Sequence, residues 1–304
     1  MTCRLPVLVL AGPTASGKTA ASIEIALEIG GEIVSADSVQ VYRYLDIGSA
    51  KPTLKERRHI PHHCIDVADP DEAFSAGRYR HLAQAAIEDI CKRGSIPILV
   101  GGTGLYIRAI THGLFEGPPA NTELRLHLEA MENESPGILH RHLQQVDPET
   151  AARLHPHDRV RLIRALEVWN ITGVPISKHH TNHAATTPLY DCFIWIMDPP
   201  AEQLRERVRL RVHRMLEDGF IEEVRFLRAK YGTGVRALYS VGYRQVGAYL
   251  DGQIALKDLE EAIVRAHEKY IKQQRTWFRD FPNRIASAAG WPHDAIVAWR
   301  KKWY

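Results

Sequence analysis

A glycine-rich segment near the N-terminus constrains the fold more than any other part of the sequence. Residues 12–19 read GPTASGKT and match the phosphate-binding pattern GxxxxGK[ST]. The apolar run 5–10 before it is short enough to be a buried strand, and residues 19–29 after it have apolar side chains at helical spacing up to Gly30. Strand, loop and helix in that order predict a phosphate-binding loop rather than a surface turn with a chance lysine.

Each part of this loop has a predicted role in holding an anion. The backbone N–H groups of residues 14–19 would point at the phosphate from the N-terminus of the helix. Lys18 would supply a positive charge, and the Thr19 hydroxyl would bind Mg²⁺, the one cofactor that we expect. The predicted phosphate-binding residues are Gly12, Thr14, Ala15, Ser16, Gly17, Lys18 and Thr19.

Composition narrows the class of protein. With 304 residues, 45% hydrophobic and 25% charged, the chain is typical of a globular protein of one large or two smaller domains. No apolar run is long enough for a membrane helix, and the first strand leaves no room for a signal peptide. Four scattered cysteines favour a reducing compartment, hence the cytoplasm, and the net charge of +3 permits a nucleic-acid partner without requiring one.

Two further predicted strands end in residues suited to a binding site. The run 32–38 contains Asp37, which should lie beside the phosphate loop because ligands bind at the carboxyl ends of parallel strands. The strand predicted at 96–100 is followed by Gly101, Gly102, Thr103 and Gly104, where an ATPase usually has an aspartate. This ending favours the approach of an anion or a base over nucleotide hydrolysis.

The strand pattern is interrupted in the middle of the chain. Between residues 118 and 189 we predict short helices at 124–131, 138–146, 148–154 and 158–171, followed by a polar, histidine-rich loop at 177–188. An apolar strand resumes at 193–197. The predicted fold is α/β: a parallel sheet with a phosphate loop and helices on both faces (1–117 and 190–304), interrupted by a mostly helical insertion domain (118–189).

Helices predominate after residue 200, and two of them are basic. On the helix predicted at 201–218, Arg207, Arg211 and Arg214 share one face. On the helix predicted at 256–280, a basic stripe along one face consists of Arg265, Lys269, Lys272 and Arg279. Aromatic residues lie between them in the sequence. The stripe is either a solvated face or a nucleic-acid contact, and the sequence leaves both readings open.

An ordered set of motifs resembles one family closely. GPTASGKT at 12–19, SADSVQVY at 35–42 and DIGSAKP at 46–52 are similar to the opening motifs of tRNA dimethylallyltransferases. GGTGLY at 101–106, RALEV at 164–168, VGYRQ at 241–245 and QRTWFR at 274–279 continue the match in order. The resemblance spans nearly the whole chain, and no zinc-finger cysteines follow it, which favours a bacterial-type member.

The resemblance implies a reaction and its residues. The family transfers a dimethylallyl group from dimethylallyl diphosphate to N6 of adenosine 37 in tRNA, so the loop would hold a diphosphate. Asp37 would be the general base, Thr103 would line the channel, and Arg244 would stabilise the leaving diphosphate together with Lys18 and Mg²⁺. The partners would be dimethylallyl diphosphate and the tRNA anticodon stem-loop, with no membrane, and the protein would be a monomer.

The resemblance also implies which residues contact tRNA. They are Asp37, Ser38, Val39, Gln40, Thr103, Arg125, Val160, Arg161, Leu162, Ile163, Arg164, Tyr239, Ser240, Val241, Gly242, Tyr243, Arg244, Lys272, Gln273, Gln274, Arg275, Thr276, Trp277, Phe278 and Arg279. One departure concerns the last motif, where KQQRTW at 272–277 stands in place of the usual Lys-Arg-Gln before a hydrophobic residue and Thr-Trp. The basic residue is shifted by two positions, onto a different face of the helix.

Three other functions remain alternatives. An enzyme that prenylates free adenine nucleotides would use the same loop and base, but it needs neither the insertion nor the basic C-terminal helix. A phosphate-loop kinase or NTPase would turn over ATP with Mg²⁺. A non-catalytic RNA-binding protein would bind tRNA and form no prenyl product.

Overall fold

Six strands form one parallel sheet. The computed structural model describes residues 4–115, 117–184, 189–282, 284–287 and 290–303. The strands are β1 (Leu5–Ala11), β2 (Gly31–Ala36), β3 (His62–His63), β4 (Ile96–Gly101), β5 (Tyr190–Met197) and β6 (Arg284–Ser287). Their spatial order is β3-β2-β4-β1-β5-β6, so β1, which leads into the glycine-rich loop, lies between β4 and β5. The predicted parallel α/β fold is confirmed.

Helices account for most of the remaining chain. In order they are α1 (Lys18–Ile29), α2 (Ala76–Lys92), α3 (Gly104–Thr111), α4 (Thr122–Glu134), α5 (Ile138–Val146), α6 (Pro148–Arg153), α7 (Arg159–Thr172), α8 (Ile176–Ala184), α9 (Ala201–Glu217), α10 (Phe220–Tyr231), α11 (Tyr243–Leu250), α12 (Leu256–Arg279) and α13 (His293–Arg300). A short 3₁₀ turn covers Arg236–Tyr239. Within the described residues, no helix is long and apolar enough to cross a membrane.

Both faces of the sheet are covered, as alternation along β1 illustrates. Val7 and Val9 belong to a core that includes residues of α2, α3 and α9–α12. Leu8 and Leu10 point to the other face and pack with residues of α1 and α13. A strand buried on both sides reads as a continuous apolar run, which is the pattern seen in residues 5–10.

The chain divides into two compact units. One comprises Met1–Thr111 and Leu189–Tyr304, and the other His112–Pro188, compared with predicted boundaries at 117/118 and 189/190. The second unit has its own core, which includes Leu128, Leu139, Leu143 and Leu166.

The prediction of a loop at 177–188 is wrong over its first part, because α8 extends to Ala184. Residues 185–188 lie outside the described part of the chain. The N–H of Ser177, in the first turn of α8, donates to Asp147 Oδ2 at 3.0 Å, a capping contact from 30 residues away. A cap supplied by another helix leaves no local signal in the sequence.

A buried carboxylate joins the helices of the second unit. Glu167 has no exposed side-chain surface and binds Arg125 (2.8 Å), Arg164 (2.6 Å) and the N–H of Asn121 (2.8 Å). Burial alone would raise the pKa of Glu167, but these hydrogen bonds outweigh it and lower the pKa to about 2. Two of the predicted tRNA-contacting arginines therefore already hold an internal ion pair, although about a third of each side chain remains exposed.

This ion network should make unfolding depend on pH. The folded-state pKa of Glu167 lies below its ordinary value of 4.5, so its contribution is present above pH 4.5 and is lost as the pH falls toward 2. Glu167→Gln should lower the free energy of unfolding by about 1–3 kcal/mol at pH 7. The difference from wild type should shrink below pH 4 in urea unfolding. Glu134→Gln, which changes an exposed carboxylate, is the control, and an equal loss in both variants would contradict the assignment.

Candidate active site

The glycine-rich loop has a backbone that specific residues make possible. At Gly12 a Cβ would lie 2.3 Å from the carbonyl oxygen of Met197, so only glycine fits beside β5. Gly17 adopts φ 97° immediately before α1, and Ala15 adopts φ 61°, in the left-handed region that is uncommon for non-glycine residues. Lys18 Nζ donates to the carbonyl of Pro13 at 2.6 Å. The loop therefore curls around the start of α1, as a phosphate-binding loop requires.

A buried glutamine attaches this loop to the end of β4. Gln274 of α12 accepts a hydrogen bond from the N–H of Thr14 (2.9 Å) and donates one to the carbonyl of Gly102 (2.9 Å). Glycine at position 102 permits this contact, because a Cβ there would lie 2.4 Å from the Gln274 amide nitrogen and would displace it. Gln274 was predicted to contact tRNA. In the structure its amide is instead committed to the loop and the strand end.

A cavity of about 260 Å³ opens in front of the loop. Its lining combines residues 14–19 of the loop with polar groups of β2 and of the segments that follow, and with α9 and α12; it includes Ser22, Ser35, Asp37, Gln40, Ser49, Ala50, His62, Arg207, Arg211, Tyr270 and Gln274. Three cations, Lys18, Arg207 and Arg211, face it. An anion is the ligand that such a lining favours.

The two arginines of α9 are held by the walls of the cavity. Arg207 donates to the carbonyl of Ser16 at 3.2 Å. Arg211 makes long contacts with the Thr14 hydroxyl (3.4 Å) and the Ser49 carbonyl (3.3 Å), while its buried Nε has no hydrogen-bond partner within the described residues. The sequence placed these arginines on one helical face but gave no reason to assign them to this site. Their i, i+4 spacing predicts only that they share that face.

Burial lowers the pKa of both buried cations that face the cavity. Burial, with a smaller contribution from the charge of Arg211, lowers the pKa of Lys18 to about 7, while Asp37 acts in the opposite direction. Burial also lowers the pKa of Arg211. Partly desolvated cations gain more from a bound anion than cations in water do.

The carboxylate of Asp37 lies at the same cavity, in a fixed orientation. Its Oδ1 accepts the N–H groups of Val39 (2.8 Å) and Gln40 (3.3 Å), and among the described residues no hydrogen bond reaches Oδ2. The hydroxyl of Thr103 accepts the N–H of Ser38 at 3.0 Å and donates to the Ser38 hydroxyl at 3.2 Å. β2 and β4 are adjacent strands, so their carboxyl ends bring Asp37 and Thr103 to the same edge of the sheet. The resemblance implied that Thr103 lines the site; in the structure Asp37 lines the cavity, and Thr103 lies behind it as a hydrogen-bond partner of Ser38.

The structure differs from the prediction for Arg244. Its side chain is exposed and lines a separate cavity on α10 and α11, together with Arg228, Tyr239 and Asp251. It does not line the cavity in front of the glycine-rich loop. Arg211 of α9 lines that cavity instead. The segment 241–245 was assigned to the site because it matches a motif of the resembled family, but α11 begins there and turns Arg244 outward.

The predicted tRNA-contacting residues divide by exposure. Several are buried, so their side chains form core and are not available to RNA: Leu162, Ile163, Tyr243, Gln274 and Phe278. Others are exposed: Val160, Arg161, Tyr239, Lys272, Gln273, Thr276 and Arg279. Arg275 is held by Asp198 at 2.6 Å, and Trp277 packs against Gly104, where a Cβ would lie 2.9 Å from the indole. For the residues at 272–279, the amphipathic period of α12 accounts for this division.

Comparison with known proteins identifies the family of the chain. The family model for IPP transferases matches residues 40–281, a match that begins after the glycine-rich loop and is independent of it. The chain is 49% identical to tRNA dimethylallyltransferase 1 of Citrifermentans bemidjiense over 90% of this chain and 89% of that protein. It is 45% identical to the tRNA dimethylallyltransferase of Desulfosudis oleivorans, covering 92% of this chain and 90% of that protein.

Solved structures agree as well. The tRNA isopentenylpyrophosphate transferase of Bacillus halodurans superposes with a TM-score of 0.73 at 34% identity, over 99% of this chain and 98% of the other. A eukaryotic dimethylallyltransferase acting on tRNA superposes with a TM-score of 0.81 at 28% identity, over 97% of this chain and 77% of the other. With this family match and these relatives, the chain belongs to the tRNA dimethylallyltransferase (IPP transferase) family.

Proposed function

We propose that this protein transfers a dimethylallyl group from dimethylallyl diphosphate to N6 of adenosine 37 in tRNA, next to the anticodon. The observation that carries the proposal is a single cavity that is faced by one carboxylate, Asp37, and three cations, Lys18, Arg207 and Arg211. A base and an anion site side by side suit a reaction in which an amine loses a proton while a diphosphate leaves. The named activity of the relatives supports the same reading.

Asp37 acts on the nucleophile. The lone pair of the adenine N6 amine is delocalised into the ring, so the amine needs a base within hydrogen-bond reach. With Oδ1 held by two backbone N–H groups, Oδ2 is the atom that accepts the N6 proton. As the N6–C1 bond forms, the allylic C1–O bond breaks and its electron pair leaves with the diphosphate. The adenine has to leave the anticodon stack first, at a cost of a few kcal/mol.

The cations act on the leaving group. Negative charge grows on the bridging oxygen as the C–O bond breaks, and preorganised donors at that position stabilise the transition state. Lys18 and Arg211, which both line the cavity, supply the compensating positive charge, and the N–H groups of residues 14–19 add backbone donors. Because the two cations are partly desolvated before the substrate arrives, they interact with it strongly.

The donor set of the site fits a Mg²⁺ ion that is held largely by the substrate. Thr19 lines the cavity at the first turn of α1, and Ser35 and Asp37 line the same cavity. Among the described residues no group of three or more His, Cys, Asp or Glu side chains could hold a metal by itself. Mg²⁺ keeps several waters and binds through few protein oxygens plus phosphates. When bound, it would neutralise charge on the diphosphate, with Thr19 as its protein ligand.

The tRNA would be held outside the cavity. We assign the anticodon stem-loop to the exposed stripe on α12 and to the insertion, through the exposed Val160 and Arg161 and the partly exposed Arg125 and Arg164. Lysine and arginine side chains on such surfaces bind phosphates without reading sequence. We further propose that the protein acts as a monomer in the cytoplasm, where tRNA is modified under reducing conditions.

One assay separates this function from its alternatives. The protein is incubated with dimethylallyl diphosphate, Mg²⁺ and unmodified tRNA, and the nucleosides are analysed by mass spectrometry. We expect N6-dimethylallyladenosine from tRNA and from an anticodon stem-loop. Transfer to AMP alone would favour the free-nucleotide enzyme, and ATP turnover at ordinary enzymatic rates would favour a kinase or NTPase. tRNA binding with no product would favour a non-catalytic protein.

Replacing the base should remove turnover and leave binding intact. Asp37→Asn keeps an oxygen for the N–H groups of Val39 and Gln40 but cannot take a proton. We expect kcat to fall about 10²–10⁴-fold. The affinity for diphosphate, measured by calorimetry, should stay equal or rise, because a negative charge beside the anion is removed. A variant with near-normal kcat would exclude Asp37 as the base.

Binding of diphosphate should be coupled to protonation of Lys18. At pH 8 most of the Lys18 side chains are neutral in the empty site because their pKa is about 7, and a bound anion raises that pKa. Wild type should therefore take up more protons per diphosphate at pH 8 than at pH 6. Calorimetry in buffers of different ionisation enthalpy measures this uptake. The Lys18→Arg variant stays charged at pH 6 and at pH 8, so its proton uptake measures the protons that diphosphate itself binds. Equal proton uptake in wild type and in this variant would contradict the assignment.

The basic stripe on α12 should determine the salt dependence of tRNA binding. Lys272 and Arg279 are both exposed. If each contacts a phosphate, the double variant Lys272→Ala, Arg279→Ala should lower the slope of log affinity against log salt by about two units. Lys92→Ala, on α2, is the control for a solvated lysine. Parallel slopes would mean that the stripe is a solvated face and that the insertion holds the RNA.

A further inference from the structure

A carboxylate outside the active-site cavity binds the backbone of one of its walls. Glu223, on α10, accepts the N–H groups of Asp46 (3.0 Å), Ile47 (2.7 Å) and Gly48 (3.1 Å). These three consecutive amides are about 175 residues away from Glu223 in sequence. Hydrogen bonds from backbone N–H groups to an ionised acceptor are short and stronger than neutral ones. Glu223 therefore fixes the direction of the chain at residues 46–48.

A buried tyrosine holds this carboxylate from the other side. The hydroxyl of Tyr243 donates to Glu223 Oε1 at 2.7 Å. Burial raises the pKa of Tyr243 well above its ordinary value, and the charge of Glu223 raises it further, so the hydroxyl stays protonated and remains a donor. The rings of Phe220 and Tyr243 press on Gly48 so closely that a Cβ there would lie 2.1 Å from Phe220. This contact leaves the segment little freedom to shift.

The residues that follow Gly48 form the wall of the cavity. Ser49 and Ala50 line it, and Ala50 adopts φ 46°, a strained value for alanine. The Ser49 carbonyl accepts Arg211 Nη2 at 3.3 Å, and the carbonyl of Ala50 accepts Gln40 Nε2 at 3.3 Å. Among the described residues, this Ser49 carbonyl is one of only two hydrogen-bond partners of the Arg211 guanidinium. The position of residues 49–50 thus determines where Arg211 points.

A second anchor holds the same segment independently of Glu223. Lys51, whose side chain is only 4% exposed, donates to the Tyr42 carbonyl and forms ion pairs with Asp46 and Asp66. Loss of Glu223 would therefore remove the acceptor of the N–H groups of residues 46–48, while Lys51 keeps the segment attached through Asp46 and Asp66. This separation makes a positioning role testable apart from folding.

We propose that Glu223 is a positioning residue for the diphosphate subsite: it fixes residues 46–48 so that the Ser49 carbonyl holds the Arg211 guanidinium toward the leaving group. The inference rests on the proposed function for the identity of the natural ligand. It requires only that the cavity binds a diphosphate through Arg211. Glu223 does not touch the substrate; it acts through the loop.

Glu223→Gln tests the proposal with little change in shape. The neutral amide is a weaker acceptor for backbone N–H groups, and its NH₂ group repels the donors that it faces. We expect the affinity for inorganic diphosphate with Mg²⁺, measured by calorimetry, to fall about tenfold, in the range of one hydrogen bond to a charged group. KM for tRNA and the melting temperature should change little. Glu222→Gln, an exposed neighbour on the same helix, is the matched control and should bind diphosphate as wild type does.

A double-mutant cycle distinguishes positioning from general loosening. Arg211→Ala removes the group through which Glu223 acts, so adding Glu223→Gln to it should cause little further loss of diphosphate affinity. Tyr243→Phe should reproduce a smaller part of the effect of Glu223→Gln, since it removes one donor. Additive losses in the cycle, wild-type affinity in Glu223→Gln, or an equal loss in Glu222→Gln would each overturn the proposal.

Failure of the proposed function has a separate signature. If the wild-type protein binds diphosphate and the cycle is non-additive, but no prenylated adenosine forms from tRNA, the positioning role stands and the assigned reaction is wrong.

Discussion

The burial of positive charge in one cavity is the constraint on which the active site depends. Burial lowers the pKa of both Lys18 and Arg211, and the charge of Arg211 adds to the lowering at Lys18; Asp37 only partly compensates. Partly desolvated charges are costly unless they are paired, so the empty site is held together by the rest of the fold. A bound diphosphate would provide the missing pairing, and the cost of assembling the cations is met before the substrate arrives.

Polar contacts between segments that are distant in sequence hold these cations in place. Gln274 joins the glycine-rich loop to the end of β4, across 260 and 172 residues. Arg207 and Arg211 extend from α9 onto carbonyl groups of the loop and of Ser49. Glu223 and Lys51 hold the segment that carries Ser49. The glycines at 12, 48 and 102 permit these approaches, since a Cβ at any of them would lie within 2.4 Å of a neighbouring atom.

Where the sequence-based interpretation failed, the missing information was tertiary. Arg244 stands in a motif, yet α11 begins just before it and turns its side chain away from the cavity. Arg211 stands in an arginine-rich helix with no local mark of function, yet the packing of α9 places it at the glycine-rich loop. The family resemblance implied that Gln274 contacts tRNA, whereas its own position falls on the buried face of α12.

The sequence by itself determined the parallel sheet, the glycine-rich loop, the interruption of the core by a helical unit and the placement of Asp37 at a strand end. These features follow from local rules: apolar periodicity marks strands and helices, the glycine pattern marks a phosphate loop, and carboxyl ends of parallel strands share an edge. Only the tertiary structure decided which cations face the cavity and which carboxylate holds its wall. Those choices depend on helix rotation and on contacts between distant segments, and neither leaves a periodic signal in the chain.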